Sequence, residues 1–425
     1  MDNYKNIYLL IREKKFDLAL NHLEKIPKNE IRNFEYYYLK GFSYLNLNKI
    51  DNAIENFSLV LKSNKDNVLS YFYRAIAYYK KNDFENSKLD YEKAISLKPN
   101  MPELYNNLAG VNYKNGENEE AIKNFTHALN LDQSQKNSIQ GLLNVLTQTK
   151  NVKDNSSNLI FIHNKLNEIN LDYSEYKFIE NKNIKKYLNE INFLIDNKLN
   201  NLQLDIFQTY KENETKLNCK RHHKFFNKYN LIPEYCFGCF KIQIEPDNVV
   251  DLIKLHIVFD NFKFKKNNIR KCMIELRPNI PGNYKGLIYC QSLEEAEEVS
   301  RNLLSVTKNN FNKKIRLIIK RGCSEFSIKF PKYNSFEKDM MTYDANSKKY
   351  EDQFDRENIE FGLIKKTRPT IKGITLYDAL VIRNWLAYAK IIGDDTHKFI
   401  SDKVFYSKKI EEKIKTKLLQ ENQLN

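Results

Sequence analysis

The sequence predicts an α+β protein of three parts: an N-terminal α-solenoid of helix hairpins, a helical connector, and a C-terminal βαββαβ sheet domain with closing helices. Three observations predict it. Aromatic and small residues recur at a fixed offset through the first third of the chain. Beyond residue 236, short alternating runs separated by turn residues replace the helical period. All six cysteines lie after residue 218, within or just before that second pattern.

The solenoid rests on an alignment of the chain with itself. Tyr37, Gly41, Tyr44, Ala53, Phe57 and Val60 match Tyr71, Ala75, Tyr78, Ser87, Tyr91 and Ala94, then Tyr105, Ala109, Asn112, Ala121, Phe125 and Ala128, each set displaced by 34 positions. A period of that size marks stacked helix hairpins, none of which can bury its apolar face alone. Small residues at Gly41, Ala75 and Ala109 let paired helices approach, and the aromatics fill the space between hairpins. With Pro99 closing the middle repeat, the pattern resembles the tetratricopeptide-repeat (TPR) family, with repeats at about 34–67, 68–101 and 102–135. It departs at Asn112, where the family has Tyr, and at Lys65 and Gln133, where it has Pro. Phe16, Ala19, Leu23 and Ile26 read as an abbreviated repeat within 1–28 and residues 138–147 as a capping helix, so the solenoid spans 1–150.

The resemblance implies a ligand groove on the concave face, lined by first-helix positions: Tyr38, Phe42 and Leu45, then Phe72, Ile76 and Tyr79, then Asn106, Gly110 and Tyr113. Family members that grip chaperone C-termini hold the carboxylate with Lys, Arg and Asn, and that set is missing here. The groove therefore suits an apolar or amphipathic segment of a protein or peptide partner, or else packs on the chain's own later helices.

Residues 151–215 are polar, Asn-rich and helical in period, with Leu166, Ile169, Leu188, Ile191, Leu194 and Ile195 as the apolar stripe. They read as a connector without chemistry. In the domain 216–425, strands are expected at 240–245, 272–277, 285–291 and 314–321, and helices at 248–262 and 293–306. That order is the ferredoxin-like arrangement, with strands in the order 4-1-3-2. A fifth strand is expected at 326–330 and closing helices at 376–392 and 404–420. With Ile242, Ile244, Ile274 and Leu276 toward the helices, Lys241, Gln243, Glu245, Glu275 and Arg277, with Tyr289, form an open charged face.

The cysteines gather on this frame. Cys236 and Cys239 precede the first strand, Cys272 opens the second, Cys290 closes the third and Cys323 follows the fourth, which places all of them on one sheet edge. Strand tips at about 4.8 Å spacing span roughly 15 Å, too wide for one ion, so a single site uses only some of them. The sharper constellation is Cys219-x2-His222 followed after thirteen residues by Cys236-x2-Cys239, two donor pairs at zinc-site spacing. Cys272, Cys290 and Cys323 are additional edge donors. An iron–sulfur cluster is the alternative, with Cys272 or Cys290 in place of His222. Plain burial of the thiols is the other, with His222 and His223 at the surface. A thioredoxin-like pair needs a helix after Cys-x-x-Cys, and here a strand follows. The Cys-rich block, with CFGCFKIQIEP, KCMIELRP, YKGLIYC and RGCSEF, resembles the C-terminal region of a group of bacterial TPR proteins. That resemblance implies no particular activity.

The 425 residues carry a net charge of +15. The excess follows a general bias toward Lys, Asn and Ile, and bases alternate with acids, so nucleic acid is not the expected partner. The central strands also lack the aromatics of an RNA-binding sheet. No run approaches about 18 apolar residues, so no membrane span is expected. The first apolar run is too short and too soon interrupted by charge for a secretion signal, and the chain reads as cytoplasmic. Walker, dinucleotide, nucleophile-elbow and HExxH motifs are missing, and only 11 glycines occur. Two functions follow: a scaffold or adaptor coupled to a zinc-type domain, or an enzyme whose Cys-lined metal or iron–sulfur site receives a protein substrate from the repeats.

Overall fold

The computed structural model describes residues 3–28, 31, 33–153, 157–169, 179–199, 202–211, 217–266, 268–277, 280–311, 315–335, 340–358, 369–401, 404 and 408–424. It divides into two units, Met1–Val145 with Asp352–Leu363, and Leu146–Glu351 with Ile364–Asn425. Residues 278 and 279 of the expected turn, 314 at the start of the expected fourth strand, 405–407 in the expected last helix and the 215/216 boundary lie outside the described residues. Among the described residues no helix is long and apolar enough to cross a membrane.

The first unit is a succession of hairpins: α1 (Asn3–Arg12) with α2 (Phe16–Glu24), α3 (Asn33–Asn46) with α4 (Ile50–Ser63), α5 (Val68–Lys81) with α6 (Phe84–Leu97), α7 (Pro102–Asn115) with α8 (Asn118–Leu131), then α9 (Lys136–Leu146). The small positions are buried as their type requires: Ala53, Ala75, Ala94, Ala109, Ala121 and Ala128 are fully enclosed. Ser87, which stands where the other two repeats have Ala, gives its hydroxyl to the Ala75 carbonyl at 2.8 Å. Arg74 locks the middle hairpin, donating Nε and Nη2 to the two oxygens of Asp90, each at 2.7 Å, and Nη1 to Ser58 Oγ at 2.9 Å. The hairpin turns repeat as well. Lys14, Asn48, Asn82 and Gly116, spaced like the repeats, all take the left-handed conformation, with φ of 59°, 59°, 69° and 95°. Asn and Gly accept that conformation readily, whereas Lys does so at a cost of about 1 kcal/mol. The abbreviated hairpin is therefore in register with the three that follow.

The second unit is built around a four-stranded antiparallel sheet. Its strands are β1 (Phe240–Glu245), β2 (Arg270–Ile274), β3 (Tyr284–Cys290) and β4 (Arg316–Arg321), in the order β2-β3-β1-β4. The preceding helices are α10 (Asn158–Glu168), α11 (Asn181–Lys198), α12 (Cys219–Tyr229) and the single turn α13 (Glu234–Phe237). Two more, α14 (Val249–Asn261) and α15 (Leu293–Asn310), connect strands. The chain closes with α16 (Ser324–Lys329), α17 (Lys348–Glu357), α18 (Leu376–Ile392) and α19 (Lys408–Leu424). A Cβ on Gly286 would lie 2.3 Å from Leu255 Cδ2, so α14 rests directly on β3.

Three expectations are corrected here. Residues 326–330 form no fifth strand, because Ser324–Lys329 is the helix α16, with Phe326 fully buried and Ile328 62% exposed. The sheet grows instead at its other edge. Gln208 and Lys211 bridge to Met273 and Arg270, and Lys211 N and Arg270 O meet at 2.8 Å. Second, the stretch 151–215 does not stand apart as a connector, since its described part falls in the second unit. The buried helix α18 holds it. Asn384 Nδ2 donates to the Leu204 and Ile206 carbonyls at 2.7 and 2.8 Å, Trp385 Nε1 donates to Phe207 O at 2.9 Å, and Arg383 pairs with Asp196 at 2.9 Å. Third, the charged sheet face is not open. Lys241, Gln243, Glu275 and Lys285 are buried, with Glu275 taking hydrogen bonds from Lys285 and Arg277. The start of α16 covers this face, with Ser324 at 3.4 Å from Lys241 Nζ and Glu325 paired to Arg277.

Candidate functional site

In the first unit the residues assigned to the groove sit on the first helices of successive hairpins. Tyr38, Phe42, Phe72, Ile76, Tyr79, Asn106, Gly110 and Tyr113 are partly exposed, and Leu45 is buried. Part of this surface is spent on packing between hairpins: the Phe42 and Tyr73 rings meet edge-on at 5.0 Å, and Tyr38 meets Tyr73 at 6.1 Å. Tyr79 leans on Phe84 at 5.7 Å, and Asn106 accepts from Ser138 at 2.9 Å. At Gly110 a Cβ would meet nothing within 4 Å. No neighbour requires glycine there, and a side chain at this position would enter open space.

In the second unit the loop Cys236-Phe237-Gly238-Cys239 is clamped through its carbonyls. Tyr333 Oη donates to Cys236 O at 2.6 Å, Arg321 Nε to Phe237 O at 2.9 Å and Gly322 N to Cys239 O at 2.7 Å. Gly322 has φ of +54°, and a Cβ there would fall 1.7 Å from Tyr333 Oη, so both its conformation and its neighbour require glycine. This clamp sets Cys323 beside Cys239. Helix α12 is anchored by the buried carboxylate of Glu351, which accepts from Arg221 Nη1 at 2.9 Å, Glu234 N at 2.8 Å and Tyr343 Oη at 3.0 Å. One carboxylate thus ties α12 to the start of the cysteine loop.

Four of the six cysteines gather here. Cys219, Cys239 and Cys323 each raise the pKa of Cys236 after burial, which acts most strongly. Burial also leads at Cys239, pushed up to about 12, and at Cys323, pushed up to about 11. Cys219 is raised by burial against the opposing charges of Lys271 and Lys241. These are neutral thiols near pH 7, the opposite of the lowered pKa that an activated thiolate nucleophile needs.

Of the other two cysteines, Cys290 borders this group, acting on Cys239, and Cys272 stands apart from it. Cys272, expected to open its strand on the shared edge, is the middle residue of β2, paired with Gly286 and fully buried. The pairing of β2 with β3 runs back to Arg270 opposite Ile288, which places Cys272 inside the strand. Cys290 does end β3 on the expected edge, paired with Phe240, and its sulfur lies 3.9 Å from Asn268 Nδ2.

Of the proposed donors, His222 is turned inward: it is buried, and its ring stacks on Tyr235 at 5.3 Å. Among the described residues the ligand atoms that converge within 4.8 Å of one another belong to His223, Cys323 and Glu325. Two of these, His223 and Glu325, are not picked out by Cys-x2-His spacing. The signal that finds His223 is helical: residues 219 and 223 are four apart in α12 and share a face.

Family models match only the repeats. A model described as "Tetratricopeptide repeat" covers residues 34–67 and 102–135, and one described as "TPR repeat" covers 77–116. None of the curated proteins matches the chain. Solved structures similar to it include MamA, at 18% identity over 32% of this chain and 80% of that one, with a TM-score of 0.31. The TPR domain of Arabidopsis OM64 is 21% identical over 27% of this chain and 93% of its own, with a TM-score of 0.26. The TPR2B domain of yeast Sti1, solved as a complex with pHsp70, is 22% identical over 28% of this chain and 100% of its own, with a TM-score of 0.27.

Proposed function

We propose that the chain is an interaction scaffold whose tetratricopeptide repeats, residues 34–135, hold an apolar or amphipathic segment of a partner protein along the first-helix face. The observation that carries this reading is the row of half-exposed Phe72, Ile76, Tyr79 and Tyr113 on the first helices of successive hairpins, with open space at Gly110. Side chains of this kind receive an amphipathic helix through its apolar anchors. They offer little to a terminal carboxylate, which asks for cations. For the second unit we propose zinc-type metal binding in a ferredoxin-like frame. Mixed thiol, imidazole and carboxylate donors support it more than an iron–sulfur cluster.

Binding measured by fluorescence anisotropy tests the scaffold reading. An array of amphipathic peptides is compared on the full chain with the acidic HSP90 peptide SRMEEVD, to which the first TPR of Spaghetti (RPAP3) is bound in its solved structure. Binding of amphipathic members, lost on Tyr79→Ala with Tyr113→Ala at unchanged helical circular dichroism, is the expected result. Preference for the acidic tail would overturn it.

A further inference from the structure

We infer that a zinc-type divalent ion is held by His223, Cys323 and Glu325, with Cys219 as the fourth donor. This deepens the metal-binding reading of the second unit and replaces the donor set that sequence spacing indicates. The ligand atoms of His223, Cys323 and Glu325 already lie within 4.8 Å of one another, close enough for one tetrahedral ion to draw them together by small side-chain movements. Cys219 stands one helical turn before His223 on the same face of α12, and Cys323 and Glu325 begin α16. Each segment therefore carries a pair of donors: His223 already faces Cys323 and Glu325, and Cys219, outside that 4.8 Å group, joins it by a side-chain movement.

The surroundings fit an ion. Arg277 Nη1 pairs with Glu325 while its Nε and Nη2 hold Glu275, so the carboxylate is oriented from outside, as metal ligands usually are. Two thiolates and a carboxylate around a divalent cation leave one net negative charge. Lys241 and Lys271 supply positive charge close enough to act on Cys219 and Cys323. Sulfur and nitrogen donors favour zinc over calcium or magnesium, which take oxygen. The Gly322 to Cys239 hydrogen bond ties the start of α16 to the residue before β1, and Glu351 of α17 ties α12 to the start of the cysteine loop, so the donors are positioned by the fold. His222 is not among the ligand atoms that converge, and its ring packs on Tyr235.

Cobalt titration of the full chain, prepared reduced and metal-free, tests this. One tightly bound Co2+ per chain is expected, with tetrahedral visible bands and a sulfur-to-cobalt charge-transfer band. His223→Ala and Cys323→Ser should each weaken binding about tenfold or more. Cys219→Ser should reduce the charge-transfer intensity, Glu325→Gln should weaken binding with the fold retained, and His222→Ala should leave binding unchanged. Loss of binding in His222→Ala with none in His223→Ala would overturn this donor set and leave zinc-type binding standing. No cobalt band in the intact chain, judged folded by its Trp385 fluorescence, would overturn both.

Discussion

The two units place their partners at very different distances along the sequence. In the repeats a structural feature recurs one period away: the left-handed turn at Asn48 returns at Asn82 and Gly116, and Arg74 finds Asp90 and Ser58 within the neighbouring helices. In the sheet unit, Lys211 finds Asp378 at 3.0 Å and the Gly373 carbonyl at 2.6 Å, while Arg221 finds Glu351. A solenoid is stabilised by nearest-neighbour terms and tolerates local damage, whereas a unit held by distant partners is expected to fail as a whole. The following outcomes would break or sharpen that contrast.

The largest effect is expected at Lys211, buried with Asp378 and Asp260 and given a raised pKa by their charges against the pull of burial. Lys211→Met strands two buried carboxylates and should cost about 3–5 kcal/mol. Because the chain has one tryptophan, Trp385, its fluorescence reports the second unit alone. Its transition should move to lower denaturant while the helical signal of the repeats stays. A common shift of both signals would mean that the units unfold together. Next comes Gly141→Ala in α9, whose new Cβ would lie 2.3 Å from the Phe125 ring. Overpacking of that kind costs about 1–3 kcal/mol, read as a lower, broader helical melt with Trp385 unaffected.

A smaller effect is expected from pH. Burial lowers the pKa of His256, the charge of Asp378 and Asp260 opposing this and that of Lys211 adding to it. Thr209 Oγ1 sits 3.1 Å from its Nδ1. The native imidazole stays neutral while the unfolded one takes a proton near pH 6.5, so stability present above that value is lost as pH falls toward the depressed native pKa. His163, also lowered by burial, acts in the same direction. His256→Gln should therefore show a shallower loss of second-unit stability between about pH 7 and pH 5 than the parent chain. An identical slope would refute this role. The smallest change is a gain. Lys14→Gly relieves the positive φ of the first hairpin turn and should stabilise the repeats by about 0.5–1 kcal/mol, visible as a higher helical melting temperature.

The same difference in range explains what was legible in the sequence. Repeat helices, the strand at 240–245 and the helix at 376–392 follow from periodicity, which is a local property. Residues 326–330 alternate like a strand because Phe326, Ile328 and Phe330 are apolar. Tertiary packing decides otherwise, since Phe326 is drawn in among Phe226, His223 and Tyr333 while Ile328 is left in solvent. The inward place of Cys272 depends on the register of β2 against β3, which pairs from Arg270 opposite Ile288 and is contained in no local pattern. Metal-site spacing treats 219–222 as a loop, whereas the segment is a helix that turns His222 inward and leaves His223 facing Cys323 and Glu325. Glu325 becomes a candidate donor only once two segments a hundred residues apart are laid on the same sheet.

The central claim concerns the groove, and Gly110→Leu tests it most directly. The helix should tolerate the change and gain about 0.5–1 kcal/mol, because leucine is the better helix former and its Cβ meets no neighbour. Anisotropy titration of this variant with an amphipathic peptide bound by the parent chain should show affinity lowered about tenfold or more, the cost of placing a bulky side chain where the ligand lies against the first-helix face. Undiminished affinity, with the melting temperature of the repeats equal to or above that of the parent, would contradict the scaffold reading of this face.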